Sequence, residues 1–493
     1  MEFEMDLASK VGPMSIMKPL TERISDVEAY YSLIDAPSTP ISDDAIKSVV
    51  REFRPVAGLR LRSYFNTLEN MKKSTSSGSP YFTKRRNVVD ETLKLIAGDN
   101  KFSNIELPAI LGWRGQEGGP DVDDVKQRVV WMFPFSVNIE ELRAYQPLIK
   151  ACQAHHLVPA WESMDAVDAR ITQLFDTKDP EDLVICTDFS KFDQHFNRDC
   201  QQAAASILSR IFNSDESYND WITNVFPIKY NIPIICAENL MFKGEHGMAS
   251  GSGGTNADET LTHRALQHET ALQQGVLLNP NSQCLGDDGI LSYPGCTVED
   301  VMRTYTAHGL EMNESKQYSS THDCTYLRRW HHKDYRIKDV CVGVYSTCRA
   351  LGRLAEQERY YDPEKWSKEM VALRQLSIIE NCKFHPLREE FAEFCMKGDK
   401  YRLGIDIPGF LDNITRIAKE AIDLIPDFLG YVKTMQEEDV SAGIADWWII
   451  PNRYLSPFIQ NSANSSRSGW NLQFSIMDSC LKATISLLHF SGS

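Results

Sequence analysis

An α/β fold is predicted by three stretches of the sequence: the apolar run in "LVICTDFSKFDQHF", the glycine-rich "GMASGSGGTNADETLTHRALQHE", and the paired carboxylates of "CLGDDGILSY". In the first, Leu183, Val184, Ile185 and Cys186 read as a buried strand that delivers Asp188 at its end. In the second, Gly247, Gly251, Gly253 and Gly254 free the backbone for unusual dihedrals and close approach to a ligand, and a helix follows that ends near Gly275. The third reads as a hairpin: Cys284 and Leu285 lead in, Ile290 and Leu291 lead out, and Asp-Gly is a common turn dipeptide. Thr297 and Asp300 then start a helix that Gly309 stops. From about residue 340 onward, helical patterns such as "PEKWSKEMVALRQL" and "EFAEFCMKG" dominate.

Two adjacent carboxylates in a hairpin are, by themselves, an ordinary solvated turn. A third carboxylate at the end of a buried strand changes that reading, because clustered negative charge is costly unless a cation neutralises it. Asp188 is that carboxylate, and Asp193 follows five residues later. Mg²⁺ suits the set, since it is held by one or two carboxylates together with phosphate oxygens and water. Paired ions of this kind, roughly 3.5 to 4 Å apart, stabilise the attacking and leaving oxygens of an in-line displacement, which points to phosphoryl transfer. A displaced phosphate needs a proton; Lys316 in "LEMNESKQY" would be a surface lysine without context, and a general acid if positioned. Upstream, Lys126 and Arg128 in "VKQRVVWMFPF" can face one side of a strand and meet a triphosphate, with surface ion pairing as the plain alternative.

The order of "DFSKFD", "SGSGGT", "LGDDG", "NESK" and "YLRRW" resembles the successive palm motifs A to E of viral RNA-dependent RNA polymerases, and is most similar to those of picobirnaviruses, whose genomes are double-stranded RNA. The motifs span residues 188 to 330, and "SGSPY" at Ser77 to Tyr81 extends the resemblance upstream as a motif G. The resemblance implies a closed right hand with an α+β palm. It places an N-terminal extension over 1–55 that bridges fingers and thumb, and fingers over 56–180. A palm follows over 181–339, with a fingers insertion at about 213–245, and a mainly helical thumb and tail occupy 340–493. By the same resemblance Asp188 and Asp287 are the principal ligands of two Mg²⁺ ions, with Asp288 supporting and Mn²⁺ as an alternative metal. Asp193 contacts the ribose of the incoming nucleotide, and Ser250, Gly251 and Thr255 hold nucleotide and template. Lys316 protonates pyrophosphate, while Lys126 and Arg128 match the fingertip Lys-x-Arg. Ser77, Gly78 and Pro80 guide the template, and Arg328 and Arg329 contact RNA. The family often has Asn where this chain has Glu259, which leaves Asn256 or Asp258 to compensate in sugar discrimination.

Composition agrees with a large globular enzyme. The 493 residues are 42% hydrophobic and 24% charged, enough for several subdomains around sizeable cores. No run has the apolar length needed to span a bilayer, and "MEFEMDLASK" lacks a secretory pattern. The twelve cysteines include no Cys-x-x-Cys pair, so free cytosolic thiols are expected. A net charge of −16 argues against RNA binding by the whole surface. Basic residues are instead local: Lys72, Lys73, Lys84, Arg85 and Arg86 without an intervening acid, and Arg328, Arg329, Lys333, Arg336 and Lys338 against Asp334 alone, as an internal RNA channel would need. Trp447 and Trp448 are expected to pack a core rather than to stack a first nucleotide.

The expected partners are template RNA, nascent RNA and nucleoside triphosphates, with a viral capsid protein as a further contact, no membrane, and a monomeric enzyme in the virion interior and host cytoplasm. Two rivals are a reverse transcriptase, which a polar Asp193 disfavours because such enzymes exclude the 2′-hydroxyl with bulk, and a catalytically silent RNA-binding component of a particle, which would lose Asp188 or Asp287.

Overall fold

The computed structural model describes residues 2–12, 18–97, 107–121, 123–124, 126–313, 317–357, 364, 366–421 and 447–450. Lys316, the Ser-rich stretch at 461–470 and the tail at 460–493 lie outside the described residues. The chain divides into two compact units: one of residues 19–112 and 129–342, the other of residues 1–18, 113–128 and 343–493. Helix and sheet are mixed, as expected.

The larger unit is organised around a four-stranded antiparallel sheet. Its strands are β1 (Val184–Thr187), β2 (Gln283–Leu285), β3 (Asp288–Leu291) and β4 (Tyr318–Ser320), in the order β4-β1-β3-β2. Val184, Ile185, Ile290 and Leu291 are completely buried, which explains why these strands read as continuous apolar runs rather than alternating ones. Two further strands, β5 (Asp323–Tyr326) and β6 (Arg329–His332), form an adjoining hairpin through Leu327 and Arg328. Both turn residues have positive φ, at 51° and 63°, as a tight primed hairpin turn requires.

Five helices of this unit bear on the site: α1 (Asp43–Glu52), α2 (Phe135–Ala154), α3 (Arg198–Ile211), α4 (Thr255–Gln273), which packs on the sheet, and α5 (Val298–Ala307). Helix α4 packs against α1, α3, α5 and β2, so it is buried nearly all round. That leaves no solvent face for its polar residues, which must find partners inside. Arg264 does so with Glu52 of α1, through Nε and Nη2 at 2.9 and 2.8 Å. The predicted start and stops hold: Thr297 caps the N-terminus of α5 by accepting from the Asp300 amide, and Gly275 and Gly309 take φ of 71° and 84° just beyond α4 and α5.

The smaller unit is mainly helical, with Thr347–Ala355, Lys368–Glu380, Arg388–Gly398 and Ile414–Ala421 enclosing a core of Leu373, Leu376, Ile379, Phe391 and Phe410. The helix Glu2–Ala8 joins it through Glu4, whose buried carboxylate accepts from Ser346 Oγ, the Thr347 amide and hydroxyl, and His385 Nε2, all at 2.6–2.8 Å. Trp447 and Trp448 pack against the same core, and the Trp448 amide donates to Glu380.

Candidate active site

Strand register brings the carboxylates together. Thr187 pairs with Gly289 across β1 and β3, and Leu285 pairs with Asp288 across β2 and β3. The residue after Thr187 is Asp188, so it emerges beside the hairpin tip that carries Asp287 and Asp288. Asp287 is exposed, whereas Asp188 and Asp288 are half-buried. Burial and then the adjacent Asp287 push the Asp288 carboxyl up to about 7, with Asp188 adding in the same direction; the Leu327 amide and Arg328 oppose the shift. Leu327 N–H donates to Asp288 Oδ2 at 2.8 Å, so the β5–β6 turn holds that carboxylate in place.

The hairpin turn differs from the sequence expectation. The two residues between the paired Leu285 and Asp288 are Gly286 and Asp287, and Gly286 has φ of 59°, as a turn with glycine at its first central position needs. Asp-Gly is therefore not the turn dipeptide. Gly289 lies within β3, where a β-carbon would meet His263 Cε1 at 2.6 Å.

Asp188 is fixed through its backbone. Gln317 accepts from the Asp188 amide at 3.2 Å and donates Nε2 to the Asp188 carbonyl at 2.6 Å, and the Asn313 amide donates to the same carbonyl. Beyond Asp188 the chain pairs Phe189 with Met312, and then Lys191 at φ 51° turns it into the short helix Phe192–His195. Asp193 in that helix is only 8% exposed, and its carbonyl accepts from Met248 N at 2.8 Å.

That contact leads into the glycine-rich loop, which is a packed element and not a slack linker. Ser250 Oγ donates to the Val129 carbonyl, the Trp131 amide donates to the Ser250 carbonyl, and Thr255 Oγ1 donates to the Ala249 carbonyl at the start of α4. Gly251 has φ of 151°, and a β-carbon there would lie 1.8 Å from the Trp131 carbonyl oxygen. The close approach read from the glycines is thus an approach to the protein's own backbone.

The remaining expected residues divide. Arg328 sits at the β5–β6 turn and acts on Asp288 electrostatically. Arg329, expected to contact RNA, is instead 7% exposed and forks onto Asp168, with Nη1–Oδ1 at 2.8 Å and Nη2–Oδ2 at 3.1 Å. Asp258, considered for sugar discrimination, is fully buried and consumed by Tyr145, Tyr230 and Lys229 at 2.6–3.1 Å. Asn256 accepts from Trp161 Nε1. Ser77 is buried, and its carbonyl accepts from the Phe135 amide; Gly78 has φ of 60° with the Phe133 carbonyl against it; Pro80 is exposed. Lys126, exposed, and Arg128, half-buried, belong to the smaller unit.

Two polar residues of α4, Thr260 and His263, carry no motif in the sequence, although they share a face with Asn256 and Glu259. Asn256, Glu259, Thr260 and His263 recur at i, i+3, i+4 and i+7 and so share one helix face. That face meets the hairpin: Thr260 Oγ1 accepts from the Gly286 amide at 2.9 Å, and His263 Nδ1 donates to the Gly286 carbonyl at 2.8 Å. Burial pushes the His263 imidazole down to about 4, which keeps it neutral at physiological pH.

A carboxylate trio at a strand end and hairpin tip, backed by a glycine-rich loop and helix, is the arrangement to set against known proteins. The family model for viral RNA-dependent RNA polymerase matches residues 16–341. A protein described as a potential RNA-dependent RNA polymerase, from Human picobirnavirus (strain Human/Thailand/Hy005102/-), is 58% identical over 463 residues, covering 91% of this chain and 86% of its own. This chain belongs to the viral RNA-dependent RNA polymerases. A crystal structure of the RNA-dependent RNA polymerase of a human picobirnavirus superposes with a TM-score of 0.84 at 57% identity, covering 92% of this polymerase and 87% of that chain. The insertion-loop deletion mutant of a human picobirnavirus polymerase gives 0.83 at 55% identity, covering 92% and 87%. The polymerase is accordingly a nucleotidyltransferase of the right-hand polymerase fold. Among its described residues no helix is long and apolar enough to cross a membrane.

Proposed function

We propose that this polymerase joins ribonucleotides on an RNA template at Asp188, Asp287 and Asp288 by two-metal chemistry. The observation that carries the reading is the register that brings Asp188 at the end of β1 beside Asp287 and Asp288 at the hairpin tip, where burial and the neighbouring carboxylates push the Asp288 carboxyl up. Such a site gains from a divalent cation, and hard oxygen donors suit Mg²⁺ or Mn²⁺. Mg²⁺ is typically held by one or two carboxylates together with substrate phosphates and water, the donor set these residues and a triphosphate would supply. Bound metal supplies electrostatic stabilisation of the attacking 3′-oxygen and of the departing pyrophosphate.

The chain's own residues then have distinct work. Asp188 and Asp287 present ligand oxygens, while the Leu327 amide keeps Asp288 aimed at the same place. Asp193 supplies the acceptor for a ribose 2′-hydroxyl, consistent with its tie to the loop at Met248. Ser250, Gly251 and Thr255 give that loop a fixed shape against which nucleotide and template bind. Lys126 and Arg128 on the triphosphate, Lys316 as the acid for pyrophosphate, and Ser77, Gly78 and Pro80 along the template are assigned from their sequence motifs. Arg328 is the RNA contact of the β5–β6 turn, and Arg329 is a strut under it. In hand terms the larger unit supplies the palm and most of the fingers, and the smaller one the thumb together with the fingertip stretch 113–128.

The test is incorporation of labelled ribonucleotides and deoxyribonucleotides on a primed RNA template with Mg²⁺, by the native enzyme and by Asp287→Ala. Ribonucleotide-selective synthesis that vanishes in the variant, with RNA still bound, supports the assignment. Undiminished synthesis by Asp287→Ala would remove the hairpin from the reaction.

A further inference from the structure

We propose that Thr260 and His263 are positioning residues for the metal-binding turn: from buried helix α4 they hold the two peptide groups that flank the Gly286 α-carbon, and so fix the direction in which Asp287 leaves the hairpin. The proposal rests on the reading of Asp287 as a metal ligand.

The geometry is specific. The Gly286 amide belongs to the peptide joining it to Leu285, and it donates to Thr260 Oγ1 at 2.9 Å. The Gly286 carbonyl belongs to the peptide joining it to Asp287, and it accepts from His263 Nδ1 at 2.8 Å. One contact restrains φ of Gly286 and the other restrains ψ. Glycine is the residue with the widest choice at both angles, and here φ is 59°, so an unrestrained turn would let the following carboxylate wander.

His263 is chosen for one nitrogen. Because its partner is a carbonyl, Nδ1 must carry the proton, and Nε2 is then a bare acceptor, buried with no hydrogen-bond partner among the described residues. A histidine kept to fill space would be better replaced by a purely apolar ring, since its second nitrogen stays unsatisfied. The ring is wedged by Phe189 and Tyr305, edge-on at 5.3 and 5.7 Å, and Gly289 in β3 gives it clearance. Both glycines of Gly-Asp-Asp-Gly are therefore explained by the same helix: Gly286 is the residue held, and Gly289 makes room for the residue that holds it. Thr260 and His263 lie one and two turns along the helix that Thr255 begins, so the loop proposed to hold the nucleotide and the turn proposed to hold metal are attached to one rigid element.

The experiment compares substitutions that keep or remove each contact while preserving volume. An asparagine amide nitrogen can occupy the Nδ1 position, whereas a glutamine amide nitrogen falls nearer Nε2. His263→Asn should therefore recover more activity than His263→Gln or His263→Phe. Thr260→Val removes the acceptor without changing shape, and Thr260→Ser retains it. The readouts are the Mg²⁺ and Mn²⁺ concentrations for half-maximal ribonucleotide incorporation, kcat, affinity for primed RNA by fluorescence anisotropy, and melting temperature. Loss of a residue that orients a metal ligand costs about 10- to 100-fold in metal affinity or activity. Thr260→Val, His263→Gln and His263→Phe should raise the half-activating metal concentration by about tenfold or more with RNA affinity retained, and the Ser and Asn variants should restore most of the loss. A wild-type metal half-point in Thr260→Val and His263→Phe overturns the proposal. So does a melting-temperature loss with no change in metal dependence. Should the His263 variants fail to fold, the Thr260→Val and Thr260→Ser pair decides. Asp287→Ala, run alongside, separates the two readings: if it leaves activity and metal dependence unchanged, the ligand assignment has failed; if it abolishes activity while Thr260→Val and His263→Phe keep the native metal half-point, only the positioning proposal has.

Discussion

Glu4 in the smaller unit and Asp288 in the larger one are carboxylates withdrawn from solvent, and their surroundings treat them in opposite ways. Burial raises the Glu4 carboxyl, but hydrogen bonding and charge from His385, helped by Ser346 and Thr347, more than offset this and hold it at about 2. Burial also raises Asp288, and there the nearest strong influence is another carboxylate, so it is pushed up to about 7. A carboxylate met by donors is complete and its role is structural. One met by other carboxylates has an unfilled electrostatic demand, which marks it as a place for a cation. Asp168 under Arg329 and Asp258 under Lys229, Tyr145 and Tyr230 are likewise met by donors.

The largest way to break the contrast is Asp287→Ala. Activity should fall by at least about 10³-fold, because a ligand that stabilises the transition state is lost. The melting temperature of the metal-free protein should not drop, since the side chain is exposed and its removal relieves repulsion on Asp288. Adding Mg²⁺ or Mn²⁺ should raise the native melting temperature more than that of Asp287→Ala. Primer extension and thermal scans with and without metal check both halves.

Arg329→Ala tests the opposite class. It would strip the buried Asp168 carboxylate of its forked guanidinium partner, at a cost of about 3–5 kcal/mol to folding, measurable by chemical denaturation. If Arg329 were instead an RNA contact, the same change would lower RNA affinity and spare stability.

These two arginines also show where sequence reading stops. "YLRRW" offers adjacent guanidinium groups, and nothing in the string says that Arg328 falls in the β5–β6 turn while Arg329 opens β6 and is buried. Only the strand register and the position of Asp168, 161 residues away, decide it. The strand before Asp188, the helix after the glycine-rich loop, its stop at Gly275 and the hairpin were legible because apolar runs, caps and glycines are local signals. The turn was read one step out of place, because Asp-Gly is the commoner turn dipeptide and the requirement for a glycine at 289 comes from His263, a contact across space. Gln317, which clasps the Asp188 peptide, carries no local signal at all. The α4 stripe of Asn256, Glu259, Thr260 and His263 was readable by its spacing, but a polar stripe is ordinarily the solvent face of a helix, and here it is the face against the site.

Glu4→Gln sharpens the comparison from the structural side. The folded pKa of Glu4 lies below its ordinary value of 4.5, so its contribution to stability is fully present above pH 4.5 and is lost as pH falls from there to about 2. The variant should cost about 1–3 kcal/mol near neutral pH and should flatten the acid limb of a stability-against-pH curve in that window. A native-like acid limb in Glu4→Gln would mean that the N-terminal helix is held by packing alone.

Arg328→Ala should have the smallest effect on folding and a distinct effect on binding. Its side chain lies on an exposed turn, so stability should change by no more than about 0.5 kcal/mol. If it meets a backbone phosphate of RNA, affinity should weaken across sequences alike and the salt dependence of binding should fall by about one charge. Because Arg328 also lowers the Asp288 carboxyl, its loss removes one of the two influences that oppose the carboxylate's upward shift. The metal concentration for half-maximal synthesis is the quantity that separates these roles. A change in RNA salt slope with an unchanged metal half-point assigns Arg328 to the nucleic acid, and a shifted half-point with an unchanged slope assigns it to the electrostatics of the carboxylates.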